Sequence, residues 1–119
     1  MTVVFASSTN NVIADNVISG NGTGVSTAGP GNQATQIVRN LIGTDKAGTG
    51  AVPNANGVVI SAGNNLIGDT WPGGNVISGN SGAGIVIDST NAAGCRIFGN
   101  RIGTDVTGVL PLPNGHTGV

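Results

Sequence analysis

Aspartates and arginines are the side chains of this chain that could do acid–base or metal chemistry, and they are few. The acidic residues are all aspartates: Asp15, Asp45, Asp69, Asp88 and Asp105. The basic residues are Arg39, Lys46, Arg96 and Arg101. No Gly-x-Ser-x-Gly elbow with a supporting His and Asp completes a triad. We therefore expect no catalytic residue and no cofactor.

His116 and Cys95 are the two remaining side chains with chemical potential. His116 has no His, Cys or carboxylate at metal-ligand spacing, which favours a solvated histidine over a catalytic one. Cys95 precedes Ile97 by two residues, so strand alternation points both side chains inward. A small buried thiol is favoured over a reactive nucleophile.

The composition narrows the possible partners. The net charge is −1, which provides no electrostatic footprint for nucleic acid. No apolar run approaches the roughly 18 residues that a membrane helix needs, so no membrane span is expected. The segment after Met1 lacks the basic region and the cleavage site of a signal peptide.

An internal duplication organises the whole chain. The hexapeptide Asn-Val-Ile-Ser-Gly-Asn of residues 16–21 returns unchanged at residues 75–80, and Ile-Gly-Thr-Asp of residues 42–45 returns at 102–105. We predict a single β-helix repeat domain over residues 1–119, with copies at approximately 4–56 and 57–119.

Each copy contains six short β-like runs separated by Asn and Gly, a composition that favours short strands and tight turns. In the second copy the runs centre on Val59, Ile67, Ile77, Ile85, Ile97 and Ile102. Three short strands per coil predict an all-β, right-handed parallel β-helix (a β-solenoid) of about four coils. The longer coil of each copy carries an extra segment, at residues 43–54 or 103–114.

Stacked coils assign the repeated residues to two roles. Equivalent strands lie about 4.8 Å apart, so identical side chains form columns. The predicted core fillers are Ile18, Ile37, Ile42, Ile67, Ile77, Ile97 and Ile102. Asparagines tolerate left-handed corners and bond to the asparagine above and below. The predicted corner or ladder residues are Asn16, Asn21, Asn40, Asn75, Asn80 and Asn100.

The motif Asn-x-Ile-x-Gly-Asn, with Ile-Gly-Thr-Asp-x-x-Gly nearby, resembles the repeats of the bacterial right-handed parallel β-helix family. These are the pectate-lyase-like repeats of large secreted or surface proteins, and the resemblance covers essentially the whole chain. It implies the β-helix fold and an extracellular or cell-surface location. It says less about activity, because this fold hosts lyases, epimerases, adhesins and inert stalks.

Asp45 and Asp105 are the metal-ligand candidates, since lyases of this fold use acidic calcium ligands. They are equivalent in the two copies, so they should lie two coils, or roughly 10 Å, apart. That distance is too long to share one calcium ion. An aspartate that bonds its own turn amides is therefore the favoured interpretation, and no metal site is predicted.

Alternation places four aliphatic side chains on one outer surface: Val12, Val17, Leu66 and Val76. A row of exposed aliphatic side chains is expected to be covered by other residues or by a partner. The long segments, or Trp71 in the enlarged turn at residues 70–74, could supply it. A subunit interface is the competing interpretation, and loop cover is the favoured one.

The functional expectation is a non-catalytic structural or surface-presentation module from a larger extracellular protein. The alternative is a carbohydrate-binding or polysaccharide-processing β-helix of the lyase or epimerase kind, which the scarcity of aromatics disfavours. Residues 1–5 open directly on a strand and residues 116–119 match the start of a further coil. We therefore expect self-association, through uncapped coil ends or the outer aliphatic face.

Overall fold

The computed structural model describes residues 3–4, 8–29 and 33–119. Within these ranges nearly every regular element is a strand of two to five residues. The short length follows from the sequence, because Asn or Gly interrupts each aliphatic pair or triplet before it can extend.

Twelve strands are found among the described residues, and the last six contain the centres predicted for the second copy. In chain order they are β1 (Val3–Val4), β2 (Val12–Ala14), β3 (Val17–Ile18), β4 (Thr23–Thr27), β5 (Gln36–Val38), β6 (Leu41–Ile42), β7 (Asn56–Ile60), β8 (Leu66–Ile67), β9 (Val76–Ile77), β10 (Ile85–Ile87), β11 (Arg96–Ile97) and β12 (Arg101–Ile102).

The strands in the described ranges form three four-stranded parallel sheets. The first sheet has the order β1-β4-β7-β10, the second β2-β5-β8-β11, and the third β3-β6-β9-β12. Each group of three consecutive strands thus contributes one strand to every sheet, which makes it one coil of a solenoid. We number these coils 1 to 4 along the chain. The predicted all-β parallel β-helix is confirmed.

The core lies between the three sheets, where equivalent isoleucines stack in register. In the third sheet Ile18 pairs with Ile42, Ile42 with Ile77, and Ile77 with Ile102. Ile37 and Ile67 occupy the same column of the second sheet and are fully buried. Ile97 and Ile102, in coil 4, are only partly buried and pack against the edge of this cluster.

One turn of 3₁₀-helix, Thr90–Ala92, is the sole helix among the described residues. Ser89 caps it by accepting a hydrogen bond from the backbone N–H of Asn91 at 3.1 Å. Ala92 joins the core. No helix in the described part of the chain is long and apolar enough to cross a membrane.

The outer aliphatic row is corrected by the sheet topology. Val12 and Leu66 belong to the second sheet, whereas Val17 and Val76 belong to the third, so the four do not share one surface. Their exposure also differs, because Val12 is 60% and Val17 50% exposed while Val76 is 2% exposed. Val76 lies between Leu41 and Arg101 of the neighbouring coils, whereas Val12 and Val17 are exposed.

Ser78 contradicts the expectation from simple alternation, which would leave an outward serine in solvent. Its side chain is fully buried, and its hydroxyl accepts a hydrogen bond from the backbone N–H of Gly103 at 2.9 Å. Alternation identifies the side of the strand, but it does not reveal that chain from a neighbouring coil packs there. The predicted opening strand at residues 1–5 falls outside the described residues except for Val3 and Val4.

Candidate functional site

An asparagine ladder runs along the corner before the third sheet. Asn16, Asn40, Asn75 and Asn100 each immediately precede a strand of that sheet. The side-chain oxygen of Asn75 accepts from both the backbone N–H and the side-chain amide of Asn40, each at 3.0 Å. Asn100 receives the same pair of bonds from Asn75, at 3.0 and 2.9 Å. One side-chain oxygen therefore satisfies two donors of the preceding coil.

The remaining amide hydrogen of each rung is also used. The side-chain amide of Asn40 donates to the carbonyl oxygens of Ile13 at 2.9 Å and Val38 at 3.0 Å. Asn40 is 1% exposed and Asn75 fully buried. Since a buried polar group without a partner costs free energy, these bonds are what makes polar side chains tolerable inside the coil.

A second ladder lies at the corner after the third sheet, and sequence reasoning found only half of it. Asn21 and Asn80 were predicted, but Asn54 and Asn114 complete the column. The Asn54 side-chain oxygen accepts from the side-chain amide of Asn21 at 3.1 Å. Asn54 in turn donates to Asn80 at 3.0 Å, and Asn80 donates to Asn114 at 2.9 Å.

The two missed rungs share a signal in the sequence. Both follow a proline, in the repeated pairs Pro53-Asn54 and Pro113-Asn114. They end the long segments, so linear spacing hides their alignment with Asn21 and Asn80. The repeat of the Pro-Asn pair was the available clue.

A third polar column crosses the corner before the second sheet and contains Cys95. The Asn65 side-chain oxygen accepts from the Thr35 backbone N–H at 3.0 Å, and the Asn65 amide donates to the Ala62 carbonyl oxygen at 2.8 Å. The Cys95 thiol points to that same carbonyl oxygen at 3.2 Å and is half-buried against the core. The free thiol of Cys95 therefore packs against the core and points to a backbone carbonyl oxygen.

Asp45 and Asp105 each bind the amides of their own turn. Asp45 accepts from the Thr49 backbone N–H at 3.1 Å. Backbone N–H groups, that of Thr49 foremost, hold the pKa of the Asp45 carboxyl below its ordinary value. Asp105 is 3% exposed and accepts from the Thr107 hydroxyl at 2.5 Å. That hydroxyl is the main cause of the lowered pKa of Asp105.

The two long segments, which we call loop 1 (residues 43–54) and loop 2 (residues 103–114), contact each other directly. The Val106 backbone N–H donates to the Gly48 carbonyl oxygen at 2.8 Å. A Cβ on Gly48 would lie 2.7 Å from the Cβ of Val106, and its φ is +70°, so glycine is required there. Loops from coils 2 and 4 thus meet across coil 3, which has no such loop.

The arginines have three different environments. Arg39 forms an ion pair with Asp15 at 2.8 Å, and its guanidinium lowers the pKa of the Asp15 carboxyl. Both side chains are largely exposed, so this pair contributes little to stability. The guanidinium of Arg96 lies 5.6 Å from the centroid of the Phe98 ring. Arg101 is half-buried, with its guanidinium 3.6 Å from the centroid of the Trp71 ring.

The other candidate residues have hydrogen-bond partners of their own. His116 is exposed, and its backbone N–H donates to Gly82 at 3.1 Å. Asp69 accepts from the backbone N–H of Thr70 at 2.7 Å, and Asp88 accepts a short hydrogen bond from the Ser61 hydroxyl. Among the described residues, no three His, Cys, Asp or Glu side chains cluster as a metal site would require.

Comparisons with known proteins do not identify a family. No protein-family model matches the chain, and neither a curated protein nor a solved structure shows significant similarity to it.

Proposed function

We propose that this chain is a non-catalytic structural or surface-presentation module, a segment of a larger extracellular protein related to the bacterial parallel β-helix repeats. The observation that supports this function is the engagement of its polar side chains in the scaffold. Each interior rung of the two asparagine ladders bonds to the coils on either side of it. Such columns make neighbouring coils rigid with respect to one another, which is the property a spacer needs.

The aspartates support the same proposal. A carboxylate that serves as a general base or a metal ligand needs lone pairs directed toward the substrate or ion. Asp45 and Asp105 instead direct theirs at the amides and hydroxyl of their own turns. Their lowered pKa values follow from these structural bonds.

An activity assay tests this proposal. We expect no unsaturated product when the chain is incubated with polygalacturonate or alginate in the presence of calcium. Turnover that disappeared in Asp45→Asn, Asp105→Asn or Arg101→Gln variants would contradict a non-catalytic role and favour a polysaccharide lyase.

A second candidate function, carbohydrate binding, is favoured by Trp71. This side chain is 41% exposed in the enlarged turn, and Arg101 covers one face of its ring. An exposed indole held flat in this way can stack on the apolar face of a sugar ring. Trp71 is the only tryptophan, so its fluorescence reports on this position alone.

A glycan array followed by fluorescence titration separates the two candidates. Carbohydrate binding predicts a glycan that quenches or shifts the Trp71 emission and no longer binds a Trp71→Ala variant. The Phe98→Ala variant, which alters another exposed aromatic ring, is the matched control and should bind normally. An array without a positive glycan favours the structural role.

A further inference from the structure

The third polar column, at the corner before the second sheet, is not made of asparagines alone. It consists of Asn11, Thr35, Asn65 and Cys95, one from each coil, which immediately precede β2, β5, β8 and β11. The pairing of these strands puts the four residues in register. Asparagine thus alternates with a residue whose polar atom is bonded directly to Cβ, one bond closer to the backbone than an amide oxygen.

The asparagine ladders depend on the reach of the side-chain amide. The Asn75 side-chain oxygen accepts from both the backbone N–H and the side-chain amide of Asn40 in the preceding coil. In the third column the Asn65 side-chain oxygen likewise accepts from the backbone N–H of Thr35, at 3.0 Å. The Thr35 hydroxyl does not repeat this role for Asn11 in coil 1. The ladder pattern is therefore interrupted between coils 1 and 2.

This interruption leaves two buried polar atoms in neighbouring coils. The side-chain nitrogen of Asn11 and the hydroxyl oxygen of Thr35 have no hydrogen-bond partner among the described residues. Thr35 is fully buried. The two residues are adjacent, because the Asn11 carbonyl oxygen accepts from the backbone N–H of Gln36 at 2.8 Å. Buried polar atoms are nearly always paired, and ordered water is the partner where the protein supplies none.

The equivalent pair in the second copy shows how one oxygen can complete the column. Asn65 and Cys95 occupy the repeat positions of Asn11 and Thr35. Both donate to the carbonyl oxygen of Ala62, the Asn65 amide at 2.8 Å and the Cys95 thiol at 3.2 Å. A single oxygen thus bridges an asparagine amide and a short polar side chain of the next coil.

We propose that a water molecule is bound between Asn11 and Thr35, in the role that the Ala62 carbonyl oxygen has in the second copy. The water oxygen accepts a hydrogen bond from the Asn11 side-chain amide. The Thr35 hydroxyl, which can donate or accept, forms the second bond to the same water. This inference goes beyond the proposed function, because the water site is the same whether or not the module binds carbohydrate.

The chemistry of the two atoms selects water over a cation. The side-chain nitrogen of Asn11 presents hydrogens, which repel a positive ion. A metal cation also needs several oxygen ligands, and no member of this column carries a carboxylate. A small neutral molecule that both donates and accepts satisfies the pair, and water has these properties.

A crystal structure of the full chain tests the proposal directly. We expect a water oxygen within about 2.7 to 3.2 Å of both Asn11 Nδ2 and Thr35 Oγ1, the range of a hydrogen bond. A structure in which the two atoms bond to each other, or remain without any partner, would overturn the proposal.

Oxygen-17 relaxation dispersion tests the site in solution, because its amplitude counts the water molecules that stay bound for longer than the protein takes to tumble. Thr35→Asn gives Asn11 the acceptor found in the ladders and should displace the water. The amplitude should then fall by the contribution of one molecule. Gln36→Asn, at the exposed neighbouring position, is the matched control and should keep the wild-type amplitude. Equal amplitudes for Thr35→Asn and the wild type would contradict the proposal.

Thr35→Val distinguishes a hydrogen-bonded hydroxyl from an unpaired one, and it does not require an asparagine to fit at this position. Valine has the shape of threonine but cannot bond to water. If the hydroxyl holds the water, its removal should lower the urea midpoint of unfolding. If the hydroxyl had no partner, the variant would remove a buried unpaired atom and raise the midpoint. A midpoint at or above the wild-type value would therefore overturn the proposal.

Discussion

The side-chain oxygen of Asn75 accepts two hydrogen bonds from Asn40, one from its backbone and one from its side chain, both at 3.0 Å. This pairing joins coils 2 and 3 inside the solenoid, where Asn40 is 1% exposed. It requires a side chain that is donor and acceptor at once, a property of amides that carboxylates lack.

Asn40→Asp is therefore expected to destabilise the fold by about 3 kcal/mol or more, because several buried acceptors lose their donor. Urea denaturation measures the loss. Asn16→Asp, at the exposed first rung of the same ladder, is the matched control and should cost markedly less. Equal losses at the two positions would show that the stability contributed by a ladder asparagine does not depend on its burial.

Ile77→Ala should cost about 2 to 5 kcal/mol, the usual range for truncating a buried aliphatic side chain. Ile77 is fully buried and packed between Ile42 and Ile102. Ile97→Ala should cost less, because Ile97 in coil 4 is only partly buried. A larger loss at Ile97 than at Ile77 in the same denaturant series would contradict this description of the core.

Ser78→Ala should cost about 0.5 to 1.5 kcal/mol, because the Gly103 N–H loses its shorter bond to the Ser78 hydroxyl and keeps only the bond to the Ile77 carbonyl oxygen at 3.3 Å. If Ser78 were in solvent, as alternation alone predicts, its substitution by alanine should cost almost no stability. Ser26→Ala, which alters an outward and only partly buried serine of β4, is the control. A negligible loss for Ser78→Ala in thermal melts would show that the Gly103 bond is replaceable.

Acid should weaken the fold through Asp45 and Asp105. The folded pKa of each lies below its ordinary value, so the carboxylates stabilise the fold above pH about 4. This contribution is lost as pH falls through the lowered folded pKa values. Urea melts across this pH range measure the free energy of unfolding. In the double variant Asp45→Asn, Asp105→Asn this free energy should fall less steeply with decreasing pH than in the wild type. An unchanged slope would mean that the turn bonds do not favour the ionised form.

Much of the fold was determined by the sequence. The hexapeptide of residues 16–21 and its copy at 75–80 predicted equivalent strands, and β3 and β9 occupy those positions. Prediction succeeds here because parallel stacking places like residues over like residues, so a repeat in the chain is also a repeat in space. The column of Ile42 and Ile77 follows from the same rule.

The contacts made by the long loops were decided only by the tertiary structure. Asn54 joins the second ladder because loop 1 returns to the coil corner, and the linear spacing does not show that return. Ser78 is buried and accepts a hydrogen bond from Gly103 at the start of loop 2, and Val76 is buried between Leu41 and Arg101 of the neighbouring coils. Alternation along a strand separates the inside of the coil from the outside. What packs against the outside depends on segments of the neighbouring coils, which are distant in sequence, and local periodicity carries no information about them.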